Sequence, residues 1–382
     1  MFRFRVLKKS KRSNARVGLL ETNHGAIETP SFVPVATHAA VKSLVSELVE
    51  ETGTQVVIAN AFHLHLKPGE KTIRSSGGLH AFMNWSRPIM TDSGGYQVFS
   101  LGFGRDLRLK KVARGKNALA RNDIIELGVK PKSVTITQKG VYFRSPINGD
   151  MLFLGPRESI MIQERLGADI MFAFDECTPP NASYEYVAVS VERTHRWAKT
   201  SLETKKSSQA LFGIMHGSTF RDLREKSADF INSLGFDGFG IGGDLGASMR
   251  STQQILKWSF DRVYVLKPRH LLGIGHLTDI IPIVKYGVDL FDCTAPTHYA
   301  RRGIAFVSNK ALDLRKRRFL KDQHSLNRYC NCFVCKSYTR SYISHLIRAN
   351  EITGLQLLTF HNLYYFNEYV KRIREDIRKG RV

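Results

Sequence analysis

The sequence predicts an α/β fold, with helices packed around a parallel sheet, and three observations carry that prediction. The first is a pattern that occurs four times: a helix-like stretch closed by glycine, a short apolar run, and a polar residue where the run stops. Its copies are Glu51–Asn60, Leu166–Asp175, Leu234–Gly242 and Tyr286–Asp292. A glycine just past a helix supplies the left-handed closing residue. The second is that the apolar runs are nearly continuous, as expected of strands covered on both faces. The third is length: 382 residues hold one large α/β domain of seven or eight such units plus an appendage, or two ordinary domains.

In barrels built this way, reactive groups sit at the C-terminal ends of strands, which makes Asn60, Asp175 and Asp292 candidates. For any one of them alone, a strand-end or helix-capping role is the plainer reading. A further apolar strand, Ile89–Thr91, ends in Asp92 and is followed by Ser93, Gly94, Gly95, Tyr96 and Gln97. The two glycines let backbone amides approach a ligand, and a planar base can stack on Tyr96. An ordinary turn explains the glycines but not the clustering of Asp, Ser, Tyr and Gln. Three carboxylates are therefore expected to converge on one mouth. Two carboxylates beside one sugar carbon are what glycosyl transfer with retention needs, one attacking while the other handles the proton. The runs Gly240–Gly243 and Gly273–Gly275 lack the spacing of dinucleotide or P-loop fingerprints.

Lysine and arginine total 57 against 34 acids, a net charge of +23 that recurs along the chain. Such a field attracts polyanions and makes nucleic acid the leading class of partner, against the alternative of a generally basic protein. No apolar run is long enough to span a bilayer and the N-terminus is interrupted by charge, so a soluble cytoplasmic protein without a membrane partner is expected. Five cysteines do not make a disulfide framework in a chain of this size. Cys330, Cys332 and Cys335 instead lie within one tight turn. A fourth ligand can come from His361 or His345; His361 is favoured because Leu357–Phe360 before it promises a rigid, packed backbone. Three sulfurs and one imidazole close a tetrahedral shell around Zn²⁺, so the metal is expected to be structural.

The segments Thr91–Ser100, Phe174–Pro179, Leu211–Ile214, Phe236–Gly238, Gly240–Gly243, Lys267–Gly275 and Phe291–Cys293, together with the Cys/His cluster, resemble tRNA-guanine transglycosylase of the bacterial type. The resemblance runs from about Asn14 to about Tyr365, with the motifs in family order. It implies an irregular (β/α)8 TIM barrel over 1–310 carrying a basic insertion at about 104–138, an inserted zinc-binding subdomain over 311–365, and a basic C-terminal helix over 366–382 packing back on the barrel. It also implies the reaction, in which Asp292 attacks the ribose of a wobble guanosine, expels guanine, and leaves a covalent aspartyl-ribose ester that an incoming 7-deazaguanine base resolves. Asp92 becomes the general acid/base. Asp175 reads the edge of the base and Tyr96 stacks on its face, with Gln97 and Asn60 beside the ribose. Ser93, Gly94, Gly95, Cys177, His216, Gly243, Asp244 and Gly246 complete the base site. Gly273, Ile274, Gly275, His276, Leu277, Thr278 and Asp279, with Thr297, His298, Tyr299, Ala300 and Arg301, correspond to segments that contact the anticodon loop. The resemblance further implies one structural Zn²⁺ per subunit, a homodimer, and tRNAs for aspartate, asparagine, histidine and tyrosine, with no redox cofactor. The chemistry demands exclusion of water, which would leave an abasic RNA, and a target already in a loop is cheaper to unstack than one in a duplex.

Some residues depart from the bacterial pattern. His216 stands where that pattern has Gln, and it lacks the amide's paired donor and acceptor. Gly246 replaces Val and Ser248 replaces Glu, which favours the bulkier base queuine over 7-aminomethyl-7-deazaguanine. His298 replaces Arg, leaving Arg301 for RNA. The insertion at 104–138 is either an extra phosphate-contacting loop or a solvated one without function. The alternative reading of the whole chain is a non-catalytic zinc-containing tRNA-binding subunit, but the loss of the nucleophile that would signal it is not seen. A sugar-phosphate barrel enzyme would need neither the cysteine cluster nor this much positive charge.

Overall fold

A computed structural model describes residues 2–99 and 134–382. Most of the 104–138 insertion, and with it the choice between a phosphate-contacting loop and a solvated one without function, lies outside the described residues.

Eight strands close into a parallel barrel: β1 Ser31–Ala36, β2 Val57–Ala59, β3 Ile89–Thr91, β4 Ile170–Phe172, β5 Ala210–Met215, β6 Gly238–Ile241, β7 Arg269–Leu271 and β8 Leu290–Cys293. Neighbours follow chain order and β8 returns to β1, with Leu290 opposite Ser31. Every residue of β2 to β7 is buried, as continuous apolar runs require of strands covered on both faces.

The four copies of the sequence repeat fall on β2, β4, β6 and β8. The chain enters three of the other four strands through proline: Pro30 before β1, Pro88 before β3 and Pro268 before β7. Gly53, Gly167 and Gly287 adopt the left-handed closing conformation, at φ 80°, 76° and 93°. Gly235 does not, because Leu234 leaves the helix Arg221–Ser233 in an extended conformation (φ −94°, ψ 161°) and already turns the chain.

The chain divides into two compact units. The first comprises Met1–Ala59, His80–Met90 and Leu271–Val382. Here an antiparallel sheet of Arg3–Lys9, Arg16–Thr22 and Gly25–Thr29 is pinned by a buried pair in which Arg16 donates from Nε and Nη2 to both oxygens of Asp289, at 2.8 and 2.5 Å. The same unit holds the hairpin Ile304–Val307 and Lys310–Asp313, the helices Phe333–Ser337 and Arg340–Arg348, and one continuous helix, Ile352–Arg378. That helix packs Phe366 against Phe32 of β1 and against Phe306 of the hairpin, with ring centroids 5.3 Å apart in each case. Its far end is fastened by Asn367, which donates to the Thr52 carbonyl, and by Arg374, which donates to the Pro30 carbonyl.

The second unit comprises Asn60–Leu79 and Thr91–His270. Its helices Pro156–Leu166, Tyr184–Thr204, Arg221–Ser233 and Met249–Phe260 each carry a buried stripe, and Gly155 with Pro156 opens the first of them at the position where a missing N–H costs nothing. Glu176 and Arg193 form a buried ion pair, to which Tyr186 donates from its hydroxyl at 2.9 Å. Among the described residues no helix is long and apolar enough to cross a membrane.

Candidate active site and metal centre

In the second unit the polar residues after β2, β3, β4 and β5 form connected pairs. Asn60 caps the helix Ala61–Leu66, its Oδ1 accepting from the His63 amide at 3.0 Å. Its Nδ2 donates to Asp92 Oδ2 at 2.5 Å, and the Ala61 amide donates to Asp92 Oδ1 at 2.9 Å. The capping reading and the site reading of Asn60 therefore both hold, one through each end of the amide.

Asp175, buried after β4, accepts from Ser93 Oγ at 2.8 Å on one oxygen and faces His216 Nε2 at 2.7 Å on the other. Beside a carboxylate, Nε2 carries the proton and donates. Gly95 is fixed by close approach: a Cβ there would stand 2.5 Å from the Asp175 carbonyl oxygen and 3.0 Å from Oδ1. Tyr96 and Gln97 follow on the helical turn 95–99, and the Tyr96 ring is 62% exposed, available for stacking. Burial first, and the Asp175 charge next, push the Cys177 thiol well above its usual range, so it is a neutral wall and not a nucleophile.

After β6, Asp244 accepts from Ser218 Oγ at 3.1 Å and from the Gly246 amide at 3.0 Å. Gly246 has φ 77°, and a Cβ there would meet Ser251 Cβ at 2.6 Å, so the backbone itself demands glycine. Ser248 caps the helix Met249–Phe260, accepting from the Ser251 amide at 3.1 Å.

In the first unit, Asp292 lies within β8, and the Gly273 amide donates to its Oδ1 at 3.1 Å. The adjacent Cys293 thiol is buried and donates to the Gly275 carbonyl. His276 meets Tyr299 edge to face at 5.6 Å. Within these stretches Ile274, Leu277, Thr297 and Ala300 are buried, while Gly273, Thr278 and Arg301 are exposed.

The metal-type cluster assembles in the same unit. Sγ of Cys330, Cys332 and Cys335 stand 3.9, 3.5 and 3.3 Å from His361 Nδ1. His361 Nε2 is 2.9 Å from the Phe306 carbonyl, so Nε2 carries the proton and Nδ1 turns its lone pair to the sulfurs. His345 is not part of this set. All five cysteines are free of disulfides.

Three supporting residues escape a reading of the sequence. Gln163 pairs its amide with both backbone groups of Phe172 in β4, at 3.0 and 2.9 Å, and takes a hydrogen bond from Thr91, the residue before Asp92. Ser159, one turn earlier, donates to the Ser93 carbonyl at 2.7 Å. Asn362 accepts from the Phe306 amide and donates to the Pro296 and Ile304 carbonyls, next to His361. The available signal is spacing: positions 159 and 163 place two polar side chains on the buried face of a helix, where each must find a partner.

Carboxylates held by amide donors at the ends of barrel strands place the chain among the parallel-barrel enzymes. Within that class comparison fixes the family: the model described as "TGT: Queuine tRNA-ribosyltransferase" matches residues 10–382, and the chain belongs to that family. It is 43% identical to a queuine tRNA-ribosyltransferase of Thermoanaerobacter pseudethanolicus, covering 100% of this chain and 94% of the relative. Identity is 42% to that of Halalkalibacterium halodurans, over 99% and 93%, and 43% to that of Moorella thermoacetica, over 99% and 94%. The chain is accordingly a pentosyltransferase.

Proposed function

We propose that this enzyme exchanges the wobble guanine of tRNAs with GUN anticodons for a 7-deazaguanine base, with Asp292 as nucleophile and Asp92 as general acid/base. The observation that carries the reading is that both aspartates close strands of one parallel barrel, β8 and β3, with their carboxylates held by backbone or amide N–H groups. Strand C-termini of such a barrel open on one face. Asp292 attacks C1′ of the ribose, the C1′–N9 bond breaks, and the bonding pair leaves with guanine, which takes a proton delivered through Asp92. The arriving base then displaces Asp292 after losing its N9 proton to Asp92, so the anomeric configuration is retained. Asp175, clamped by Ser93 and His216, offers its remaining lone pairs to the base, and Tyr96 supplies a stacking surface. Trapping the enzyme on unmodified tRNA with a base analogue tests this: Asp292→Asn abolishes the covalent adduct, and an adduct that survives overturns the assignment.

Queuine is the favoured base in this reading. Position 248 has no carboxylate to meet a cationic aminomethyl group, and its hydroxyl is engaged as a helix cap. Parallel incorporation assays with both bases decide the matter.

The Cys₃His set is assigned to one structural Zn²⁺. Tetrahedral zinc with ordinary Zn–S and Zn–N bonds separates sulfur from nitrogen by about 3.6 Å, and the three S···N distances are 3.3 to 3.9 Å. Four protein ligands leave no open position, so the ion supplies folding energy and not chemistry. A cytoplasmic homodimer with a barrel body over 1–310 and a zinc subdomain over 311–365 completes the proposal.

A further inference from the structure

We propose that Arg224 is the positioning residue of the base-recognition wall, clamping the end of β5 and the loop after β6 into one fixed arrangement. This rests on the base-exchange reading above.

Arg224 lies on the helix Arg221–Ser233 and is 0% exposed. Its guanidinium makes four hydrogen bonds, all to backbone carbonyls and divided between two segments. Nε donates to Ser218 at 2.8 Å and Nη1 to Met215 at 3.1 Å, on the β5 side. Nη1 also donates to Gly242 at 3.1 Å, and Nη2 donates to Asp244 at 2.7 Å, on the β6 side. These anchors enclose His216 and Gly217 on one side and Gly243 on the other, and His216 and Gly243 are assigned to the base site. The two segments touch directly as well: a Cβ on Gly243 would stand 2.6 Å from His216 Nδ1, and Ser218 Oγ reaches the Asp244 carboxylate. Through His216 the clamp extends to Asp175, 2.7 Å from Nε2.

Among the described residues no carboxylate stands within ion-pair distance of Arg224, so its hydrogen bonds go to carbonyl dipoles while Asp244 acts on its charge from further away. Burial draws its pKa down to about 10, with Asp244 opposing, and it remains protonated at neutral pH. A buried cation held this way is a poor device for stability, since an apolar side chain of similar volume avoids the desolvation cost. What the planar fork supplies is geometry, because its donors diverge at fixed angles toward two separate loops. An ammonium group presents all its donors from one atom and cannot reproduce that span.

The test uses Arg224→Lys and Arg224→Met in the full-length enzyme, with labelled guanine exchanged into unmodified tRNA. The expected result is a KM for guanine raised about tenfold or more, equivalent to one or more lost hydrogen bonds, with the Kd for tRNA within about twofold of wild type. Arg224→Lys shows the smaller rise. If Arg224→Met does not fold, Arg224→Lys carries the test alone, since it keeps the charge and most of the volume. An unchanged KM in a folded variant, or a KM for guanine and a Kd for tRNA that rise together, overturns the proposal. Wild-type enzyme that exchanges no guanine overturns the base-exchange reading itself, and this inference with it.

Discussion

A single amide shows how the site depends on atoms as well as residue types. Asn60 uses Oδ1 to close a helix and Nδ2 to hold Asp92, so truncation at this position removes both. The expected outcome for Asn60→Ala is a fall in kcat of about tenfold, the weight of one hydrogen bond to a charged group, with little change in the Kd for tRNA; single-turnover exchange measures the first and filter binding the second. Sequence alone presents Asn60 as a strand-end residue that either caps or catalyses and offers no way to choose, because its two neighbours lie 3 and 32 positions away. The same holds for Gly246. Read as a sequence, it marks a widened pocket; in the fold, its positive φ and the nearby Ser251 explain it without reference to a ligand.

At the scale of elements, half the barrel is legible because a glycine stands between the helix and each even-numbered strand, closing the helix in the left-handed conformation at Gly53, Gly167 and Gly287 though not at Gly235. Three of the others are announced by proline, a weaker signal, and most barrel strands have only three or four residues, too few to show a period. The supporting side chains Gln163 and Arg224 are invisible for a related reason: a polar residue in an amphipathic helix looks solvent-exposed until the fold assigns its face. The helix Tyr184–Thr204 carries one further such residue. His195 is buried, stacks on Phe230 at 4.1 Å, and is held by burial at a pKa of about 4, with Glu192 opposing and Lys226 reinforcing. Its folded pKa lies below the unfolded value, so the unfolded chain binds the extra proton between about pH 6.5 and 4. Stability is therefore full above the unfolded pKa and is lost as pH falls through that window, by on the order of 3 kcal/mol. Thermal melts of wild type and His195→Phe across the window check this, and the variant is expected to show the flatter profile. The metal cluster makes a separate prediction. Cys332→Ser, or prolonged chelation, lowers the melting temperature by several degrees, since a structural zinc site contributes folding energy directly.

For the molecule as a whole, charge is the dominant property. A net charge of +23 predicts that tRNA affinity falls steeply with salt, log Kd rising linearly with log salt concentration. Fluorescence titration from about 50 to 200 mM salt measures the slope, where a decade or more of affinity is expected to be lost; a flat response would mean that phosphates contribute little to binding.

One helix joins the cysteine cluster to the barrel. Ile352–Arg378 presents His361 to the three sulfurs near one end, while Asn367 and Arg374 further along grip the carbonyls of Thr52 and Pro30. Through such a beam, an ion held by the proposed Cys₃His set would act as a rivet for the first strand of the barrel as much as for its own small subdomain. Demetallation and heat should thus undo this part of the protein in a single cooperative step, without a detached finger melting early.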